Sequence, residues 1–116
     1  MADSLGELRE AVAAFVAERD WGQFHTPKNL AMSIAIEAAE LMEHFQWRAE
    51  ADATLDAGRR VEVAHEMADV LIYLVRLAQV LDIDLVAAAT DKLKLNRAKY
   101  PVDKARGRAT KSVDLE

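Results

Sequence analysis

Two short pairs of acidic residues, each inside an apolar helical pattern, are the part of this sequence best suited to chemistry. The first pair is Glu37 and Glu40, and the second is Glu66 and Asp69. Residues three apart in a helix lie on the same face, so each pair presents two carboxylates side by side. If the two helices form an antiparallel hairpin, a residue of one helix lies opposite a residue of the other wherever their two residue numbers add up to the same sum. Glu37 is then level with Asp69 and Glu40 with Glu66, and four carboxylates meet in one patch.

Four carboxylates held between two helices repel one another and lose hydration, so they must take up protons or a cation. Oxygen ligands in a chain without cysteine suit a hard divalent ion. The sequence therefore predicts an Mg²⁺ site, in which Mn²⁺ is able to substitute. Most glutamates lie on solvated surfaces, but apolar residues flank both pairs, and this context favours a functional site.

Length and composition indicate one all-α domain. The chain has 116 residues, of which 52% are hydrophobic, with 4 glycines, 2 prolines and no cysteine. Helix-forming residues dominate, and neither a disulfide nor a thiolate metal site is available. The net charge of -5 argues against a broad nucleic-acid surface. The most apolar run is too short to span a membrane and the N-terminus lacks a secretory pattern, so we expect a cytoplasmic protein.

Apolar spacing and capping residues predict four helices. Thr26 followed by Pro27 is typical of a helix start, and Pro101 disfavours helix at the residue before it. The predicted helices, in chain order, cover about 5–19, 26–48, 59–81 and 84–100. Residues 102–116 are expected to form a short C-terminal tail with little regular structure. The prediction is therefore a single four-helix domain over residues 1–116.

The third predicted helix carries apolar side chains around most of its circumference, among them Leu71, Leu74 and Val75. Such a helix must be buried on nearly every side. A four-helix unit of this size offers it too few neighbours. We therefore expect a homo-oligomer, an oligomeric helical bundle built on the surfaces of helices two and three.

Aromatic and basic residues near the acidic pairs indicate a nucleotide ligand. Trp21 and Trp47 bracket the segment that holds the first pair, and Tyr73 follows Asp69 by one helical turn. Packing is the usual role of tryptophan, but aromatic platforms also bind nucleobases, with stacking worth about 1–3 kcal/mol per base. Charge runs on a terminal helix are usually solvated, but Lys92, Asn96 and Lys99 on the fourth helix share one stripe that offers donors to phosphate oxygens.

Two other interpretations stay open from the residues alone. Glu62 and His65 have the spacing of a ligand motif in di-iron helical bundles. A bundle of that kind needs a second such motif and further glutamates, which helices one and four do not supply. The other alternative is a non-catalytic helical oligomer that binds a nucleotide or partner as a sensor or regulatory module.

Several separated blocks of the chain resemble the MazG-like all-α nucleoside triphosphate pyrophosphohydrolases, and most closely their dCTP pyrophosphatase branch. The family signature is Glu-x-x-Glu, a spacer and Glu-x-x-Asp, which the two acidic pairs match. The other similar blocks are Arg19-Asp20-Trp21-x-Gln23-Phe24-His25, Phe45-Gln46-Trp47, Asp69-Val70-Leu71-Ile72-Tyr73-Leu74 and Asn96-Arg97-x-x-Tyr100-Pro101. The resemblance covers nearly the whole chain.

This resemblance implies hydrolysis of a nucleoside triphosphate to the monophosphate and pyrophosphate. The implied substrate is above all dCTP or a modified cytosine dNTP, and the implied role is nucleotide-pool control. It implies that the catalytic carboxylates Glu37, Glu40, Glu66 and Asp69 hold Mg²⁺ for in-line attack of water on the α-phosphorus. The implied base and sugar pocket comprises Trp21, Gly22, Gln23, Phe24, His25, Trp47 and Tyr73. Phosphate contacts are implied for Lys92, Asn96, Arg97 and Lys99. The family is typically tetrameric.

Two positions depart from the family pattern. Ile36 stands where some relatives have an acidic residue before the first motif glutamate, so a further or bridging metal ion is expected to be held differently. Val12 stands where the eukaryotic dCTP branch brings a histidine to the nucleotide, which leaves the base preference open. The number of metal ions and the carboxylate that activates the water are also open.

Overall fold

All of the regular structure that the computed structural model describes, over residues 4–49 and 55–115, is helical. The elements in chain order are α1 (Ser4–Glu18), a 3₁₀ turn (Gly22–Phe24), α2 (Pro27–Glu43), α3 (Ala57–Leu81), α4 (Leu85–Lys99), α5 (Val102–Ala105) and a second 3₁₀ turn (Ser112–Asp114). The prediction of an all-α fold with four long helices is confirmed.

Side-chain caps fix where three of the long helices begin. Thr26 accepts a hydrogen bond at 3.2 Å from the backbone N–H of Asn29, and Pro27 follows it in the first turn of α2. Asp56 caps α3 and Asp84 caps α4 in the same way, at 2.8 and 3.0 Å. The starts predicted from Thr26 and Asp84 therefore agree with the structure, whereas Asp56 starts α3 at Ala57, slightly earlier than the sequence indicated.

The C-terminal end of α2 differs from the prediction. The apolar spacing continues to Phe45, but the α-helix ends at Glu43 and residues 44–47 form turns. The backbone N–H groups of residues 44–46 bond to carbonyls three residues back, as from Phe45 to Met42 at 3.0 Å. Apolar spacing does not distinguish such tightened turns from a continuing α-helix. The predicted tail also contains more helix than expected, because α5 and the second 3₁₀ turn lie within it.

The first three helices pack together around one apolar core. The buried core side chains are Val12, Val16, Leu30, Val63, Val75 and Ala78. His25, just before α2, contacts Arg76 near the end of α3, whereas His44, just after α2, contacts Arg59 near its start. The helices α2 and α3 therefore run antiparallel, as the predicted pairing of carboxylates requires.

The chain divides into two compact units, the first ending at Asp82 and the second beginning at Ile83. Asp82 has a left-handed backbone conformation (φ 54°) and closes the C-terminal end of α3. The second unit contains α4, α5 and the second 3₁₀ turn. A single domain over residues 1–116 stays a prediction. None of the helices within the described ranges has the length and apolar character needed to cross a membrane.

Candidate metal centre and nucleotide pocket

Three of the four predicted carboxylates form a cluster between α2 and α3. One carboxylate oxygen from each of Glu37, Glu40 and Glu66 lies within 4.8 Å of the other two. Glu37 and Glu66 are half-buried, and Glu40 is exposed. Helical spacing places Glu37 beside Glu40, and the antiparallel packing of α3 places Glu66 opposite them. We call these three residues the carboxylate cluster.

Asp69, the fourth predicted carboxylate, lies beside the carboxylate cluster without joining it. Its negative charge raises the pKa of both Glu37 and Glu66, which shows that it is close to them. The half-buried Asp69 also lines the pocket next to the cluster. The structure thus brings together three of the predicted ligands and places the fourth near them, in the wall of the pocket.

Burial and mutual repulsion make the carboxylate cluster resist ionisation. Loss of hydration, a hydrogen bond with Glu40 and the charges of Glu40, Asp69 and Glu66 raise the pKa of Glu37 to about 7. Loss of hydration, followed by the charge of Glu40, also raises the pKa of Glu66. A cation that neutralised these groups would restore their ionised forms. The electrostatics of the cluster are therefore those of a cation site.

Two oxygens of the carboxylate cluster also lack protein partners. Oε2 of Glu37 and Oε2 of Glu66 are buried, and neither accepts a hydrogen bond from any residue in the described ranges. Buried polar atoms are normally hydrogen-bonded, and an exception calls for an ion, a water molecule or a catalytic role. The all-oxygen donor set is one that hard divalent cations prefer. The residues present therefore fit a divalent metal ion.

His44 connects the carboxylate cluster to the start of α3. Its Nε2 lies 3.9 Å from Oε1 of Glu66, and its Nδ1 lies 3.1 Å from Nη1 of Arg59. Because a guanidinium has only donors, Nδ1 accepts this hydrogen bond and the ring proton is on Nε2, on the side of Glu66. Only 14% of the His44 side chain is exposed. His44 is thus a neighbour of a candidate metal ligand that sequence spacing did not reveal, and we expect it to orient Glu66.

Replacing His44 by Ala is expected to weaken divalent metal binding about tenfold, because Glu66 loses the group that orients it. Calorimetric titration with Mn²⁺ measures this change. His65→Ala is the matched control, since His65 is an exposed histidine on α3. Equal Mn²⁺ affinity for His44→Ala and the unaltered protein would remove the orienting role.

A pocket of about 430 Å³ lies next to Asp69 in the first unit. Its lining residues are Leu8, Ala11, Val12, Phe15, Val16, Trp21, His25, Asp69, Ile72, Tyr73 and Arg76. This volume falls within the range of small-molecule sites, which combine apolar walls with a few polar groups. Trp21, His25 and Tyr73, which the resemblance assigned to a base and sugar pocket, line the same cavity.

The predicted pocket residues Gly22, Gln23 and Phe24 do not line this cavity. Gln23 Nε2 donates a hydrogen bond to the carbonyl of Asp20 at 3.0 Å. The carbonyl of Phe24 accepts from Nδ2 of Asn29, also at 3.0 Å. These contacts shape the loop that carries Trp21 and His25, while substrate contacts of Gly22, Gln23 and Phe24 stay predictions.

The remaining predicted substrate residues lie elsewhere. Trp47 is in the turns after α2, 89% exposed, and is not part of the cavity wall. Lys92, Asn96, Arg97 and Lys99 lie on α4, in the second unit. Their contacts with phosphate stay predictions, as does base stacking on Trp47.

Several residues of the pocket were missed by sequence reasoning. Phe15 packs edge-on against Trp21 with ring centroids 5.6 Å apart, and the Arg19 guanidinium lies 3.7 Å from the centre of the Phe15 ring. Arg76 interrupts the apolar run of α3 and contacts His25. A charge inside an apolar run signals a buried partner, and this signal was available in the sequence.

Comparison with known proteins tests the resemblance. Residues 32–115 match the model of the MazG-like family. This chain belongs to the MazG-like family. It is 44% identical to dCTP pyrophosphatase 1 of Rattus norvegicus over 115 residues, which cover 97% of this chain and 68% of that protein. Identity to dCTP pyrophosphatase 1 of Homo sapiens is 39% over the same shares of the two chains.

The fold also matches a solved structure. A pyrophosphatase from Archaeoglobus fulgidus superposes with a TM-score of 0.71 at 39% identity, covering 87% of this chain and 95% of that chain. The MazG-like assignment made from the sequence blocks is confirmed by the family model and by the relatives.

Proposed function

We propose that this MazG-like protein is a nucleoside triphosphate pyrophosphohydrolase that converts dCTP or a modified cytosine dNTP to the monophosphate and pyrophosphate. The observation that carries this proposal is the carboxylate cluster, half-buried and with two unpartnered oxygens, beside a nucleotide-sized pocket. The relatives named dCTP pyrophosphatase 1 support both the reaction and the cytosine base. Such a reaction serves nucleotide-pool control or house-cleaning.

The metal ion in this proposal is Mg²⁺, with Mn²⁺ as a substitute. Glu37, Glu40 and Glu66 would hold it, with Asp69 beside them at the pocket. A bound divalent ion supplies charge stabilisation at phosphate oxygens and lowers the pKa of bound water. The four carboxylates alone would repel a triphosphate, so the cluster binds phosphate only through a cation. In this proposal Asp69 would lie where the phosphate end of the substrate meets the base end.

The pocket residues bind and orient the base in this proposal. Trp21 and Tyr73 offer aromatic surface, and His25 offers a polar edge. Val12, which is buried, adds an apolar contact where the eukaryotic branch brings a histidine. Apolar walls exclude water from the base, and the few polar groups among them fix its orientation.

Trp47 does not line the pocket of its own chain, so its predicted stacking on the base requires a second copy of the chain. Trp47→Ala is expected to raise the KM for the nucleotide by about tenfold with little change in kcat, because base stacking contributes to binding rather than to the chemical step. Steady-state pyrophosphate release measures both constants. Met42→Ala is the control, since Met42 is a 65% exposed apolar residue near the end of α2. An unaltered KM in Trp47→Ala would argue against stacking.

We also propose that the chain acts as a homo-oligomer, as a tetramer in keeping with the family. On α3, Leu71 is 40% and Leu74 36% exposed. Adjacent exposed apolar side chains of this kind mark interaction surfaces. A second copy packing on α3 would bury them.

The rival functions make different predictions. The carboxylate cluster contains no histidine, and His65 is exposed on α3, which disfavours a di-iron centre. A non-catalytic sensor would bind nucleotide without turning it over. A panel of canonical and modified dNTPs, read by pyrophosphate release with and without Mg²⁺, separates the two. Mg²⁺-dependent release with dCTP preferred supports the enzyme, whereas binding without release supports the sensor.

A further inference from the structure

A chain of hydrogen bonds fixes the orientation of His25 in the pocket. Arg76 donates from Nε to Nδ1 of His25 at 3.0 Å and from Nη1 to Oε1 of Gln79 at 3.0 Å. Gln79 in turn donates from Nε2 to the backbone carbonyl of Arg9 in α1. The Arg76 guanidinium is therefore linked through Gln79 to α1 and also contacts His25, 51 positions earlier in the chain.

The Arg76 guanidinium also lies against the backbone of the loop that carries His25. Gly22 lies so near this guanidinium that a side chain there would touch it: a Cβ atom at Gly22 would lie 3.8 Å from Nη2 of Arg76, at van der Waals distance. Both Arg76 and His25 line the pocket. The side chain thus ties the 3₁₀ turn to α3 beside the proposed base site.

The direction of the Arg76–His25 hydrogen bond determines where the imidazole carries its proton. A guanidinium offers five N–H donors and no acceptor, so Nδ1 of His25 must be the acceptor and carries no proton. A neutral imidazole with an unprotonated Nδ1 carries its proton on Nε2. Burial, and then the charge of Arg76, lower the pKa of His25, which favours the neutral ring. Among the contacts of the described residues, none occupies Nε2.

We propose that Arg76 is a positioning residue that fixes the Nε2–H tautomer of His25, so that the pocket offers a hydrogen-bond donor to an acceptor atom on the base. This inference rests on the proposed function and adds a determinant of base specificity to it. Cytosine presents two neighbouring acceptors, its ring nitrogen N3 and its carbonyl O2. The other tautomer of His25 would present an acceptor to them and repel the base.

Histidine nitrogen NMR tests the tautomer directly. In the ¹⁵N-labelled protein, which has 3 histidines, the Nδ1 signal of His25 is expected in the unprotonated range and the Nε2 signal in the protonated range. Arg76→Met, which keeps an unbranched apolar stem, is expected to mix the two tautomers, and Arg76→Lys to restore the original one. A protonated Nδ1 in the unaltered protein, or unchanged signals in Arg76→Met, would overturn the proposal.

Kinetics of the full-length protein with Mg²⁺ and dCTP test the consequence. Arg76→Met is expected to raise KM about tenfold, the effect of one hydrogen bond to the base, with kcat changed much less. Arg60→Met is the matched control, because Arg60 is an exposed arginine on the same helix. Unfolding temperatures of both variants show whether a KM change comes from loss of structure.

A double-mutant cycle separates positioning from direct contact with substrate. If Arg76 acts through His25, Arg76→Met adds little to the KM increase of His25→Ala. If Arg76 contacts the nucleotide itself, the two effects add, and the proposal is wrong. The NMR result does not depend on turnover, so a protein with the predicted tautomer but no pyrophosphate release would contradict the proposed function alone.

Discussion

Glu40→Gln and Asp69→Asn are each expected to lower the rate of pyrophosphate release by at least about a thousandfold, because each removes a charge from the proposed metal and phosphate site. The fold should persist, since neither change creates a cavity in the apolar core. The measurement is Mg²⁺-dependent pyrophosphate release from dCTP, together with thermal unfolding of each variant.

The matched control for these variants is Glu10→Gln, an exposed glutamate on α1 outside both the carboxylate cluster and the pocket lining. It should retain normal turnover. Turnover within a few-fold of normal in Glu40→Gln and in Asp69→Asn would remove the catalytic roles that we assign to these residues.

In the absence of metal, the free energy of unfolding is expected to fall as the pH rises from about 4.5 to about 7. The pKa of Glu37 is raised from 4.5 to about 7 in the folded chain, so the folded state binds this proton more tightly than the unfolded state. Stability is then greatest below pH 4.5 with respect to this group, and it declines until the pH passes 7. The decline due to Glu37 should be about 1–2 kcal/mol.

Urea unfolding at pH 5.0 and pH 7.5 in the presence of a chelator measures this decline. Glu37→Gln should lose most of it, whereas Glu10→Gln should keep it. A variant at Glu37 that declines as much as the unaltered protein would show that the carboxylate cluster does not resist ionisation.

Addition of a divalent ion should reverse the loss of stability at pH 7.5. A ligand present at a hundredfold excess over its Kd stabilises the folded state by about 2.7 kcal/mol. Mg²⁺ is therefore expected to raise the unfolding temperature of the unaltered protein and to have little effect on Glu37→Gln. Equal shifts in both proteins would place the ion elsewhere.

The carboxylate cluster was predictable because it depends on two simple regularities. Helical spacing places Glu37 beside Glu40, and an antiparallel hairpin brings Glu66 opposite them. Neither regularity requires knowledge of side-chain conformations. The position of Asp69 beside the cluster, rather than in it, depends on the rotation of α3 and on side-chain orientation, which spacing along one helix does not fix.

The two arginine–histidine contacts could not be predicted in the same way. Arg59 with His44 and Arg76 with His25 join residues from different elements, and each depends on which long side chain reaches which ring nitrogen. The sequence did contain a partial signal, a charged Arg76 in the most apolar stretch of α3. That signal indicates that a partner exists, but only the fold shows that the partner is His25.

The end of α2 shows a further limit of pattern reasoning. Apolar periodicity extends the helix through Phe45, yet the chain tightens into turns after Glu43 and leaves Trp47 exposed. Local spacing therefore did not show that Trp47 lies outside the pocket wall, and its stacking on a base stays a prediction. A nucleotide or a second copy would cover its indole ring in the proposed enzyme.

In the proposed enzyme, one hard cation lies among Glu37, Glu40 and Glu66. Anomalous scattering from a crystal of the protein grown with Mn²⁺ and a non-hydrolysable dCTP analogue measures this directly. We expect a manganese peak bonded to oxygens of these three residues, with the triphosphate on its other side and the base in the pocket next to Asp69. Manganese bound only elsewhere, or three carboxylates that remain unligated while the nucleotide is bound, would contradict it.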